Sequence, residues 1–269
     1  MFDMQLVPVA IALGAVMGAV MSLTGAGGGI LAVPLLVFVL HLPLAEAAPI
    51  SLLAVFLGAT LSAVLGLKQG IVRYRAAMVM GGVGVLVAPW AVLYGHYISN
   101  MWLTLAFAGV LVWSSMRTLM GKGQGGLDDA HRAAPPCQLN ADTGRFIWTR
   151  FCALFMGATG AIAGALSGLL GVGGGFVIVP TLRKYTSLDT RSIQATSLAV
   201  IALVSMSGAT TSVLSGRMNW SIAAPFATGT LVALLLVRKW VTGFSERALQ
   251  VAFAWIALLA SALMLAKLY

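Results

Sequence analysis

Apolar residues run along this chain in long blocks separated by short polar or basic interruptions, a pattern that predicts helices rather than strands. In the first half the predicted segments are Leu6 to Leu23, Ile30 to Leu44 (interrupted by Pro34 and Pro43), Ala47 to Leu67, Ala76 to Tyr94 (containing Pro89) and Met101 to Leu119. Gly121 to Arg145 is the one long polar interval, rich in Gly, Asp, Pro and basic residues. The pattern then restarts with Phe151 to Leu170, Phe176 to Leu182, Ala195 to Leu214, Ile222 to Val237 and Leu249 to Leu265. Blocks of about 20 apolar residues are what a helix needs to cross the hydrocarbon core of a bilayer.

The two halves align at one constant offset without a gap. Gly14 falls on Gly160, Gly18 on Gly164, Gly25 on Gly171, Pro34 on Pro180 and Ser51-Leu52 on Ser197-Leu198. Internal repeats of this kind typify secondary transporters. The most informative repeated stretch is Gly25-Ala26-Gly27-Gly28-Gly29 through Val33-Pro34, matched by Gly171-Val172-Gly173-Gly174-Gly175 through Val179-Pro180. Adjacent glycines are costly in a helix interior, so each triplet predicts a turn, a helix start or a close backbone approach.

Composition removes the soluble alternatives. The chain has 269 residues, 60% hydrophobic and 9% charged, against about 25% charged residues in an average soluble domain. The expectation is an all-α polytopic membrane protein of two inverted repeats of about five segments, each with a Gly-rich broken or re-entrant helix. The repeats are placed at residues 1–120 and 149–269, with a cytoplasmic loop at 121–148 between them. The net charge of +9 is no nucleic-acid footprint, because the basic residues sit in short loops, as the positive-inside rule requires. Lys68, Arg73 and Arg75, the central loop, Arg183, Lys184 and Arg191, and Arg238, Lys239 and Arg247 form four groups placed in the cytoplasm; the opposite-side loop Gly216 to Trp220 has only Arg217. Each half then makes an odd number of passes, with both termini outside. Asp3 in place of a basic leader suggests a retained first helix rather than a cleaved signal. Cys137 and Cys152 suggest neither a disulfide framework nor a metal site.

Length places the second glycine turn. About 32 residues lie between Arg150 and Arg183, while a helical round trip across about 30 Å needs roughly 40. The turn is therefore expected within the membrane depth, with a partial helix after it. The first copy has a longer return leg. A helix beginning at Gly27 or Gly173 would present N–H groups without intrahelical partners, and those donors with the helix dipole suit an anion. The candidate substrate-binding residues are Thr24, Gly27, Gly28, Gly29, Ser51, Gly173, Gly174, Gly175, Gln194, Thr196 and Ser197. Ser51 and Ser197 stand out as repeat partners; Gln194 and Thr196 have no polar counterpart, so the expected site is asymmetric. Ser205, Ser207, Thr210 and Thr211 lie beyond them. Gly14-xxx-Gly18 and Gly160-xxx-Gly164-xxx-Gly168 read as helix-packing faces.

All seven acids fall in loops or at segment ends, which leaves no mid-membrane carboxylate for a proton relay. An anion leaving a negative interior gains about 2.3 kcal/mol per charge per 100 mV without a coupling ion. HExxH, Walker and GxSxG motifs are missing, so the chain is not expected to be an enzyme and no cofactor or metal is expected. The expected partners are a small anionic substrate and the lipid bilayer, with a homodimer as candidate assembly and no nucleic acid.

Gly25-Ala26-Gly27-Gly28-Gly29 with Val33-Pro34, the copy through Pro180, and Ala195-Thr196-Ser197-Leu198 together resemble the TauE/SafE family of bacterial membrane permeases. The resemblance covers nearly the whole chain except the central loop. It implies a multi-pass inner-membrane transporter exporting sulfite or organosulfonates, and its motif maps onto Gly27 to Gly29 and Gly173 to Gly175. The first half departs from the Thr-Ser-Leu pattern, having Pro49-Ile50-Ser51-Leu52. Two alternatives are an anion channel of the same architecture and a non-transporting membrane subunit that docks a partner through the central loop.

Overall fold

The computed structural model describes residues 6–95, 97–120, 137, 149–186, 188–240 and 246–266. The polar loop expected at 121–148, apart from Cys137, lies outside the described residues. The described residues form ten α-helices: α1 Leu6–Thr24, α2 Ala32–Val39, α3 Leu44–Lys68, α4 Tyr74–Gly95, α5 Asn100–Leu119, α6 Arg150–Leu170, α7 Gly175–Tyr185, α8 Thr190–Leu214, α9 Trp220–Trp240 and α10 Glu246–Ala266. A 3₁₀ segment, Gly25–Leu31, joins α1 to α2. Among the described residues, seven helices are long and apolar enough to cross a membrane. At 8 and 11 residues, α2 and α7 reach only about 12 and 16 Å at 1.5 Å per residue, well short of a bilayer core.

Local chemistry sets the helix ends. Thr149 starts α6 by accepting a hydrogen bond from the Cys152 N–H at 3.1 Å, and Asp189 starts α8 by accepting from the Ser192 N–H at 3.3 Å. Such caps satisfy donors that have no partner inside the helix. Pro49 and Pro225 lie in the first two turns of α3 and α9, and Pro180 sits at the middle of the short α7. Pro89 is deeper in α4, where neighbouring helices accommodate the lost donor.

Packing pairs α1 with α9, α4 with α6, α3 with α8, and α5 with α10. Small residues make these contacts close, the usual solution where lipid removes the hydrophobic drive for helix association. A Cβ on Gly14 would overlap the Phe226 carbonyl oxygen, and one on Gly18 the Thr230 carbonyl oxygen. A Cβ on Gly160 would likewise overlap the Met80 carbonyl oxygen, and one on Gly164 would lie 2.6 Å from the Gly84 carbonyl oxygen. In the register that puts Gly14 on Gly160, Phe226 corresponds to Met80 and Thr230 to Gly84. The α1–α9 contact and the α6–α4 contact therefore use corresponding residues.

Two expectations are corrected. Cys137 and Cys152 form a disulfide. Their number and spacing do not announce it, because one lies in the polar interval and the other opens a helix. The backbone N–H of Cys137 bonds the Tyr185 carbonyl at 3.3 Å, which sets Cys137 beside the end of α7. The first glycine stretch, moreover, does not begin a helix at Gly27. It continues α1 as a 3₁₀ segment running into α2, so much of its N–H complement is used within the segment.

Candidate functional site

The second glycine stretch is a true break. Gly171 ends α6 in the left-handed region at φ 74°, its N–H bonded to the Ser167 carbonyl at 2.8 Å. Gly173 and Gly174 also have positive φ, 77° and 73°, a conformation that a Cβ disfavours. α7 then starts at Gly175, two residues later than the predicted Gly173, with Gly174 as N-cap and no side-chain cap. The N–H groups of Val177 and Ile178 bond the Gly174 carbonyl at 3.1 and 3.3 Å, so the N–H groups that the first turn of α7 leaves without intrahelical partners are those of Gly175 and Phe176. The dipole of α7 adds positive potential there.

The break is held from both sides. The Ser51 hydroxyl of α3 donates to the Gly171 carbonyl at 2.6 Å, and Ser51 is fully buried. A Cβ on Gly174 would stand 2.8 Å from the Ala163 carbonyl oxygen of α6. At Gly173 it would meet Val55 of α3 and Ile201 and Ser205 of α8, with the Ser205 Oγ at 3.4 Å. Ser205 is fully buried and its Oγ has no hydrogen-bond partner. The Oγ of Ser167, on the last turns of α6, is likewise buried and unpartnered. A buried hydroxyl without a partner is expensive, which makes Ser205 beside Gly173 the most pointed feature of the region.

The two glycine motifs meet. A Cβ on Gly29 would lie 3.1 Å from Val55 and 3.2 Å from the Val172 carbonyl oxygen. Gly25 faces the Gln194 side chain, and in the repeat register this is the counterpart of Gly171 facing Ala48. Gly28 packs against the Met21 backbone of α1.

The other predicted hydroxyls are engaged inside the protein. Thr24 donates to the Val20 carbonyl at 2.8 Å, and Ser197 to the Gln194 carbonyl at 2.8 Å. Thr196 accepts from the Arg73 N–H at 3.0 Å, tying the α3–α4 loop to α8. Its repeat counterpart, Ile50, has no hydroxyl, so this tie exists on one face only.

A cavity of about 400 Å³ lies on the other face, among residues that the sequence reading did not select. Its walls are the start of α3, the ends of α4, α6 and α8, and the α8–α9 loop, with Glu46, Arg217 and Asn219 as the polar members outside the helix interiors. Ala48 and Leu52, on either side of Ser51, line it, as do Gly168 and Leu169 just before the second break. The Arg217 Nη1 donates to the Val92 carbonyl at 3.4 Å. Arg217 did leave a signal in the sequence: it is the basic residue standing against the charge rule.

Comparison with known proteins points to membrane transporters. The family model described as Sulfite exporter TauE/SafE matches residues 10–264. A probable membrane transporter protein of Xylella fastidiosa (strain Temecula1 / ATCC 700964) is 27% identical over 226 residues, 82% of this chain and 79% of its own length. The probable membrane transporter protein YunE of Bacillus subtilis (strain 168) is 27% identical over 233 residues, 81% of this chain and 82% of its own. A probable membrane transporter protein of Methanocaldococcus jannaschii is 27% identical over 209 residues, 76% and 71% of the two chains.

Proposed function

The chain belongs to the sulfite exporter TauE/SafE family, and on that premise we propose that this multi-pass membrane transporter is an inner-membrane permease exporting sulfite or a small organosulfonate. The oxyanion group binds at the second glycine break, on the N–H groups that open α7 and on the Ser205 hydroxyl. The observation that carries this reading is the uncapped N-terminus of α7 with a buried, unpartnered Ser205 Oγ beside Gly173. Helix N-termini bind oxyanions through N–H groups and dipole together, and glycine lets the ligand reach the backbone.

The two halves, residues 1–120 and 149–269, act as inverted repeats joined by a cytoplasmic loop. The short helices α2 and α7 are the re-entrant arms whose glycine stretches meet beside Val55. The 3₁₀ segment Gly25–Leu31 supports the site rather than repeating it, because its donors are used internally. Thr196 and Ser197, committed to hydrogen bonds inside the protein, hold the start of α8 on the basic face, which this reading places in the cytoplasm. Transport proceeds by rocking of one half on the other, the usual mode of repeat transporters.

Ser205→Ala tests the site without disturbing the turn, whereas a larger residue at Gly174 would collide with the α6 backbone. One hydrogen bond to a charged ligand is worth about 1.5–3 kcal/mol. In proteoliposomes the KM for sulfite or the transported sulfonate should therefore rise at least about tenfold, with the melting temperature unchanged. An unaltered KM places the anion elsewhere.

A further inference from the structure

At the second break α6 and α7 run antiparallel. Tyr185, at the end of α7, packs on Phe155 early in α6 with ring centroids 4.2 Å apart, and Gly174, at the other end, packs on Ala163. Helix N–H groups point toward the helix N-terminus. Those of Gly175 and Phe176 therefore aim from the level of Ala163 toward the next turn of α6. Ser167 stands on that turn, four residues after Ala163 and so on the same face. It is fully buried and its Oγ has no hydrogen-bond partner; only its carbonyl is used, by the Gly171 N–H. Ser205 reaches the same turn from α8, its Oγ 3.4 Å from a Cβ on Gly173. In the repeat register the counterparts of Ser167 and Ser205 are Met21 and Ala59, both buried, and Met21 packs on Gly28, the counterpart of Gly174. The hydroxyl pair thus belongs to the second break alone.

We infer that Ser167 is the second hydroxyl of this anion site, and that the site selects singly charged oxyanions: sulfonates and hydrogensulfite rather than a dianion such as sulfate. The inference rests on the permease reading above and narrows its substrate by charge. The side chains that a Cβ on Gly171, Gly173 or Gly174 would meet first are Ala48, Val55, Ala163, Ile201 and Ser205, and none is charged. The cations of these helices stand at helix ends: Lys68 closes α3, Arg150 opens α6, Arg183 and Lys184 close α7 and Arg191 opens α8. Arg217 follows the end of α8, which lies about 14 Å along the axis from Ser205. Glu46, two residues before Ala48, is a carboxylate and opposes further negative charge. The anion thus meets two N–H groups, two hydroxyls and about half a positive charge from the helix dipole. The cost of leaving water grows as the square of the charge, so a dianion loses about four times what a monoanion loses and finds the same neutral donors.

The test is inhibition of sulfite counterflow in proteoliposomes of the full chain by methanesulfonate and by sulfate, tetrahedral anions that differ by a methyl in place of one charged oxygen. Methanesulfonate should inhibit at concentrations at least about tenfold lower than sulfate. Ser167→Ala should raise the methanesulfonate inhibition constant about tenfold. The ligand-free melting temperature of this variant should stay unchanged or rise, because a buried hydroxyl without a partner is removed; a structural role for Ser167 would lower it. Melts in detergent supply a second readout: methanesulfonate should stabilise Ser167→Ala less than wild type, while the general salt effect of sulfate should be equal in the two. Equal inhibition by the two anions, none by either, or an unchanged constant in Ser167→Ala overturns the inference and leaves the permease reading standing. If wild type moves no sulfur anion, the substrate of the permease reading fails and the melts decide. A methanesulfonate shift that Ser167→Ala diminishes keeps the site, and one that is equal in both proteins removes it.

Discussion

Ser51 of α3 gives its hydroxyl hydrogen to the carbonyl oxygen of Gly171, 120 positions further along the chain, at 2.6 Å. The bond fixes the carbonyl at the start of the second break from across the repeat boundary. Ser51→Ala leaves that oxygen without its side-chain donor in a fully buried site, a change that costs about 1–3 kcal/mol. A lower melting temperature in detergent and a reduced maximal transport rate are expected. Full stability in the variant would show that the turn holds itself.

The helix contacts predict a graded set of glycine substitutions. Gly14→Ala and Gly160→Ala each push a methyl into a facing carbonyl, and overpacking of this kind typically costs about 1–3 kcal/mol. Because their contacts correspond, the two should be similarly destabilised. Gly82 and Gly109 have nothing within 4 Å of an added Cβ, so alanine there should leave the melting temperature unchanged or raise it. Equal tolerance at all four positions would contradict the packing.

The Cys137–Cys152 disulfide closes a separation of 15 residues, a loop for which chain entropy gives about 3 kcal/mol. Protein purified without reductant should carry no thiol reactive to maleimide, gain two on reduction, and melt at a lower temperature. Two reactive thiols before reduction would contradict the bond.

Asp189 supplies a pH dependence. Its hydrogen bond with Ser192, opposed by partial burial, holds its carboxyl below the ordinary 3.8. A depressed folded-state value means that the stabilisation is complete above the unfolded value and is lost as pH falls through the folded one. Asp189→Ala should cost about 0.5–2 kcal/mol at neutral pH as a lost N-cap. The gap from wild type should shrink below about pH 4, as thermal melts across that range would reveal. A gap that is constant with pH would contradict the charge contribution.

Much of the fold was legible because bilayer solvation acts on composition directly. The apolar blocks gave all ten helices with small boundary shifts, such as α8 opening at Thr190 rather than Ala195. Gly14, Gly18, Gly160 and Gly164 were legible as packing faces because their spacing repeats every turn. The glycine triplets marked both unusual stretches, yet similar glycines gave different backbones. Gly171, Gly173 and Gly174 all take positive φ, whereas in the first copy only Gly25 does, and that difference is set by what packs around each turn. Ser205 was one of several hydroxyls until folding set it beside Gly173 without a partner. Glu46 and Arg217 lie 171 positions apart, and no local pattern joins them. Cys137 lies in the polar interval and Cys152 in a helix, and no local pattern announced that they pair.

The most direct measurement is efflux of sulfite and of short organosulfonates from proteoliposomes holding the purified full chain, against protein-free vesicles. Efflux of at least one of them should saturate with concentration and be accelerated by the same solute on the opposite side, as alternating access requires. Flux that rises linearly without counterflow would make the protein a channel. No flux of any sulfur anion would contradict the substrate assignment itself.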